Sequence, residues 1–183
     1  MSDWKERAVS PGQAVRLIRS GGNLFVHGAA ATPVPLIEAL SERQDLENCR
    51  LYHLHTEGAA SIASPQTSKR LHSISMFSGP EMRSPIDDGR ADFMPIFLSD
   101  VPALFSSGQV PLQAAIVQLS PPDAHGYCSL GTSVDTARAA VDHAELVIAE
   151  INERMPRTHG ATLFPLSEID AFIATNRDLP DHP

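Results

Sequence analysis

The chain has 183 residues, 42% of them hydrophobic, enough for one core with an extra layer but hardly for two independent domains. A net charge of -8, a pI near 5.4 and only two lysines argue against a nucleic-acid binder, since phosphate binding needs a basic face; twelve arginines still allow a local anion site. Cys49 and Cys128 lie far apart with no CxxC spacing, the opening MSDWKERAVS has neither an apolar signal core nor an Arg-rich amphipathic pattern, and no apolar run approaches a membrane span. The expectation is a cytoplasmic protein with two free thiols and no membrane partner.

Ser10-Pro11-Gly12-Gln13 predicts a capping box with proline at the first helical position, opening a helix that carries Val15, Leu17 and Ile18 and stops at Gly21-Gly22. NLFVHG (23–28) reads as a short buried strand, and Pro33 to Arg43 resumes helical spacing with Leu36, Ile37 and Leu40 on one side. Strand-like runs recur at 50–56, 72–77, 91–98, 113–120 and 145–151, with helical candidates at 81–88, 100–106 and 133–143. Pro95 inside its run favours an edge strand or a bulge. Strands alternating with helices predict an α/β fold with a mainly parallel sheet and helices on both faces.

In such a sheet, ligands bind beyond the carboxyl ends of the strands, so the loops 27–33, 55–58, 77–83 and 120–131 are the candidate site. Gly28 and the small residues after it can cradle a phosphate or acyl group with backbone amides, or simply make a tight strand-to-helix turn. Thr32 before Pro33 reads as a helix cap. His53 and His55 alternate on a predicted strand and so share a face; a metal would need a third ligand, for which His125 and His159 are the candidates, and no metal is expected. Asp123-Ala124-His125-Gly126 is either an acid/base element or turn chemistry. Cys128 has no neighbouring cation to depress its pKa. Glu57, a carboxylate at the end of a buried strand and followed by Gly58, can attack a thioester; equally, it can cap the next turn or pair with an arginine.

The blocks FVHGAAATPVPLIEAL, FSGPEMRSPIDDGRADFMPIFLSDVPALF, VQLSPPDAHGYCSLGTSVD and VIAEINERMPRTHG, in that order, closely resemble the amino-terminal half of the acetyl-CoA hydrolase/transferase family, which includes 4-hydroxybutyrate CoA-transferases. The resemblance runs from about Val9 almost to the last residue. It implies a CoA-transferase-like domain over residues 1–175, the start of an interdomain linker over 176–183, and a second, nucleophile-bearing domain that lies outside this sequence. Family members use a glutamate that attacks the acyl-CoA thioester and passes through a glutamyl-CoA intermediate. That glutamate stands in a His-Thr-Glu context followed by Met-Phe in the second domain, whereas His55-Thr56-Glu57 here is followed by Gly58-Ala59.

The resemblance therefore implies that Glu57 lines the pocket as a pseudo-symmetric counterpart of the nucleophile. Gly28, Thr32, Gly79, Arg83 and the stretch Ser120 to Gly131, with Asp123, His125 and Gly126, would line the acyl or acceptor-carboxylate side. Arg83 is the group that could grip a carboxylate, or else bridge to Asp87 one turn on. No permanent cofactor is implied; a coenzyme A thioester is a substrate. The expected partners are an acyl-CoA, a short-chain carboxylate and the second domain or a separate chain that supplies it, with a homo-oligomer left open.

Overall fold

A computed structural model describes residues 4–58 and 60–180. Nine strands form two sheets. The large sheet holds β1 (Asn23–Val26), β2 (Cys49–His53), β3 (Leu71–Ser75), β4 (Ala91–Phe93), β5 (Leu112–Leu119), β7 (Ala144–Asn152) and β9 (Ala171–Thr175). Its strand order is β4-β3-β2-β1-β5-β7-β9, with every pair parallel. The short strands β6 (Tyr127–Ser129) and β8 (Leu163–Pro165) pair antiparallel beside it. The α/β expectation holds, and Pro95 follows an edge strand that stops at Phe93.

Five helices cover the two faces: α1 (Pro11–Ala14), α2 (Val34–Glu42), α3 (Pro80–Asp87), α4 (Val101–Ser106) and α5 (Ala137–His143). The capping box at Ser10 and Gln13 forms as predicted, but the first helix is a single turn that tightens into a 3-10 turn at Val15–Leu17, leaving Leu17 exposed. The period of two along each strand sorts its side chains between two cores. Phe25, Tyr52, Ala115, Val117, Val147, Ala149 and Phe172 pack on the side of α4 and α5. Leu24, Val26, Leu51, Ile116, Ile148 and Ile173 pack on the side of α1 and α2.

Strand order reverses between β1 and β5, which both leave the sheet at the same edge but continue to opposite sides. A crevice opens at such a switch point, beyond the carboxyl ends of the strands. No helix among the described residues is long and apolar enough to cross a membrane.

Candidate functional site

The loop after β1 is bent sharply back over the sheet edge. His27 is fully buried, and its Nδ1 accepts from the Gln118 N–H at 3.3 Å. The proton must then sit on Nε2, which donates to the Ser133 carbonyl. Burial lowers the His27 pKa, so the ring is a neutral clamp between β1, β5 and the 131–135 loop.

Gly28 follows with no room for a side chain: a Cβ there would stand 2.4 Å from the His55 carbonyl oxygen. That close approach lets the Ala29 N–H donate to the same carbonyl at 2.8 Å, tying the β1 loop to the β2 loop. Ala29 adopts φ 52°, a left-handed conformation costly for a residue with a Cβ, so the loop is held in a strained shape by its neighbours.

Thr32 departs from its expected role. The helix cap is Pro33, with no side-chain bond, and the Thr32 hydroxyl works inside the loop instead. Its Oγ1 donates to the Ala29 carbonyl at 2.7 Å and accepts the Glu57 N–H at 3.1 Å. Thr32 thus fixes the backbone that carries Glu57, the residue the sequence singled out.

The loops after β2 and β3 meet this cluster from the other side. Strand β2 ends at His53, so His53 and His55 do not alternate on one strand as expected. His53 is fully buried, donates Nδ1–H to the Leu54 carbonyl at 3.0 Å, and has its pKa pulled down to about 4 by burial. His55 instead lies against the Phe77 ring, with centroids 5.4 Å apart. Gly79 packs on His55, the Gly58 N–H donates to Glu81 at 2.9 Å, and Arg83 is exposed on α3 with no bridge to Asp87 among the hydrogen bonds and ion pairs of the described residues. A mainly apolar cleft of about 320 Å³ opens alongside, lined by Leu54, His55, Met76, Phe77, Ile96 and Leu98, with Asp135 as its one carboxylate.

The 120–131 stretch, read as a loop, contains β6 and turns on its own chemistry. Ser120 Oγ accepts from the Ser129 N–H at 2.9 Å. The Asp123 carboxylate accepts from the His125 and Tyr127 N–H groups, each at 2.9 Å, and from Arg157 at 2.6 Å; the Tyr127 N–H first, then the His125 N–H and the Arg157 charge, hold its pKa below the usual carboxylate value. Gly126 at φ 83° completes an Asx-type turn. Gly131 sits where a Cβ would be 2.0 Å from Met155 Sδ. The structure therefore brings Gly28, Thr32, Glu57 and Gly79 together. It places Asp123 and Gly126 with Trp4, Arg7 and Leu166 along a separate groove, and His125 beside its end.

Among the described residues, no three His, Cys, Asp or Glu side chains converge on one point, and His53 and His125 stand on different elements. Both cysteines are free and buried, and burial pushes the Cys128 thiol up to about 12.

Sequence reasoning missed the most connected part of this edge. On β5, β7 and β9, the alternation that puts Ile116, Ile148 and Ile173 in one core puts Gln118, Glu150, Asn152 and Thr175 on the same face at the strand ends. Glu150 is completely buried and is paired with Arg177 through Nε at 2.7 Å and Nη2 at 2.8 Å. A charged residue inside LVIAEIN at an inward-facing position was the available signal.

A family model for the N-terminal domain of acetyl-CoA hydrolase/transferase matches residues 1–179. The chain belongs to this family. Against an acetyl-CoA hydrolase/transferase relative from Fasciola hepatica, a succinyl-CoA:acetate/propanoyl-CoA:succinate CoA transferase, it is 43% identical over 86% of its own length and 33% of the relative's. Against the 4-hydroxybutyrate coenzyme A transferase of Clostridium kluyveri it is 33% identical over 96% of its length and 41% of the relative's. The acetyl-CoA hydrolase/transferase domain superimposes on RipA from Yersinia pestis with a TM-score of 0.91 at 30% identity, covering 97% of this chain and 44% of RipA. The Porphyromonas gingivalis 4-hydroxybutyrate CoA-transferase gives 0.82 at 29% identity, over 98% of this chain and 42% of that one. The chain thus spans less than half the length of each of these proteins.

Proposed function

We propose that the chain is the amino-terminal half of a cytoplasmic CoA-transferase that moves CoA between a short-chain acyl-CoA such as acetyl-CoA and a carboxylic acid such as 4-hydroxybutyrate. In this reading a glutamate outside residues 1–183 attacks the thioester carbon, expels CoA as thiolate, and is then attacked at its own acyl carbon by that thiolate to give glutamyl-CoA. The donor acid leaves as its carboxylate; the acceptor carboxylate then attacks the glutamyl-CoA carbonyl, forming an anhydride and expelling CoA thiolate, and the thiolate attacks the acceptor acyl carbon of that anhydride, giving the new acyl-CoA and freeing the glutamate. Gly28, Thr32, Glu57, Gly79 and Arg83 line one wall of the pocket. Ser120, Asp123, His125, Gly126 and Gly131 shape the neighbouring loop.

The observation that carries this reading is the convergence of the loops after β1, β2 and β3 at the strand ends of a domain whose relatives are named as CoA transferases. Glu57 has its peptide N–H fixed by Thr32, which suits a residue that lines a pocket. Residues 1–175 then form the domain, and the segment from 176 begins the connection to a second one.

The chain alone is expected to be inactive, since in this reading the nucleophile lies outside residues 1–183. The test is an assay of wild type and Glu57→Gln with acetyl-CoA plus 4-hydroxybutyrate, butyrate or succinate, with borohydride trapping of any glutamyl-CoA thioester. No turnover and no trapped thioester in either protein supports the half-enzyme. Turnover that disappears in Glu57→Gln makes Glu57 the nucleophile and overturns it.

A second reading, an interaction module that pairs with a separately encoded half, draws on the exposure of Phe77, Phe93, Phe97 and Leu98 beside the site edge. Concentration-dependent association in sedimentation, alone or with that half, supports it, and a clean monomer that ignores the half removes it. Transfer to water, giving a hydrolase half, is separated from CoA transfer by whether product forms without an acceptor acid.

A further inference from the structure

The Glu150–Arg177 pair is unusual in its placement. Glu150 comes from near the carboxyl end of β7, between β5 and the edge strand β9, and its carboxylate is fully removed from water. Arg177 comes from the segment after the last strand. Removing the Glu150 carboxylate from water costs several kcal/mol, while the Arg177 side chain stays a quarter exposed, and such pairs are often no more stabilising than an apolar replacement. Their attested use is to fix one arrangement out of several.

What this pair fixes can be read from its other bonds. Arg177 Nη2, which holds Glu150, also donates to the Thr32 carbonyl at 2.9 Å. The same carbonyl accepts from Gln118 Nε2 at 3.1 Å, and Gln118 Oε1 accepts from Asn152 Nδ2 at 2.9 Å. Asn152 returns to the exit segment, donating to the Arg177 carbonyl at 2.9 Å and accepting the Arg177 N–H at 3.2 Å. Thr175 Oγ1 donates to Glu150 at 2.7 Å.

The ring Thr32–Gln118–Asn152–Arg177 is closed, and a fully satisfied buried network of this kind is rigid. Among the bonds that lead out of it, the one from the Glu57 N–H to Thr32 Oγ1 reaches the β2 loop. The exit segment is therefore connected, through two side chains, to the backbone that presents Glu57.

We propose that Arg177 and Glu150 are positioning residues: a latch by which the segment leaving the domain sets the shape of the β1–α2 loop and the place of Glu57 at the switch-point crevice. The catalytic meaning of that placement rests on the CoA-transferase reading. The latch itself does not, because it can be measured without turnover.

The experiment is residue-resolved amide hydrogen exchange on the full chain, comparing wild type with Glu150→Gln/Arg177→Met, which removes both charges and leaves no buried ion unpaired. The amides of Ala31, Thr32, Val34 and Glu57 should lose at least about tenfold in protection, while those of Ala115 and Ile148 in the central strands keep theirs. Arg177→Lys, which keeps the charge but not the fork reaching both Glu150 and Thr32, should show the same local loss and serves if the double variant does not fold. Unchanged protection at Glu57 and Thr32 overturns the latch. A uniform loss that includes Ala115 and Ile148 also overturns it, since the pair would then serve global stability only. Turnover of acetyl-CoA by the chain that disappears in Glu57→Gln, with local protection lost as expected in the Arg177 variants, sinks the half-enzyme reading and leaves the latch standing.

Discussion

Replacing His53 with asparagine should flatten the acid side of this protein's stability curve. His53 is fully buried, with its Nδ1–H bonded to Leu54 and its Nε2 without a hydrogen-bond partner among the described residues. Burial first, and the nearby His55 second, lower its pKa from 6.5 to about 4. Because the folded value lies below the unfolded one, the contribution is fully present above about pH 6.5. It is lost as pH falls towards about 4, where the folded ring also protonates, and no more is lost below that.

One proton over that window is worth about 1.36 kcal/mol per pH unit, or about 3 kcal/mol in all. Between about pH 6.5 and 5, above the range where the carboxylates titrate, His53 alone should account for about 2 kcal/mol. His27, also lowered by burial, adds to the wild-type slope in the same direction. The assay is urea unfolding at about pH 7.5, 6 and 5, with His53→Asn chosen because its amide can still donate to Leu54. The variant should lose about one proton's worth of slope. Parallel curves for the two proteins would refute the assignment of His53 as a ring held neutral by burial.

Further expectations follow from the same geometry. Gly28→Ala drives a methyl against the His55 carbonyl, and should cost about 3 kcal/mol in urea unfolding, the upper end of overpacking costs. Phe97→Ser, at a side chain 80% exposed, should shift stability by less than about 0.5 kcal/mol while lowering any self-association seen by sedimentation. Arg83→Ala should be equally neutral for stability, yet weaken binding of a short carboxylate measured by NMR titration. Neither Cys49 nor Cys128 should react with a thiol reagent near pH 8 in the folded chain, since both are buried with raised pKa values, and both should react once urea unfolds it.

The elements most visible in the sequence were those with a periodic signal. Strands β1, β5 and β7 coincide with their predicted runs because both their faces are buried, which produces near-continuous apolar stretches, while β2 and β3 overlap theirs through Leu51, Tyr52 and Ile74 among buried polar residues. The short strand β6 escaped because Tyr127-Cys128-Ser129 is too short to alternate, and its antiparallel pairing with β8 is a long-range event. Helix α5 starts at Ala137 and not Ser133 because the 133–135 stretch is engaged with His27 and strained at Asp135, φ 20°. The loops that form the site were legible from topology alone. Which of their groups meet was not, because Thr32, Glu57, Gln118 and Arg177 are brought together only by tertiary contacts.

The chain's accessible surface is 8600 Å² for 19.7 kDa. The scaling for folded monomers gives about 8600 Å² at this mass. The domain therefore exposes no more surface than a self-sufficient protein of its size, in keeping with a sheet covered on both faces by its own helices. Folding and chemistry separate here. Burying the core asks nothing of the lengths of relatives that this chain does not span, whereas in the half-enzyme reading the crevice at the strand ends takes its other wall from a second domain. The apolar side chains left in water, Phe77, Phe97 and Leu98 among them, include two that line the cleft beside His55. A second wall placed there would gain apolar burial where the pocket closes and exclude water from a thioester. In that arrangement the same contact that completes the site would also strengthen the assembly, so substrate affinity and association with the second half should rise and fall together. A Phe77→Ser variant tests this: it should weaken association and carboxylate binding in parallel. Loss of one without the other would show that the cleft and the docking surface are separate.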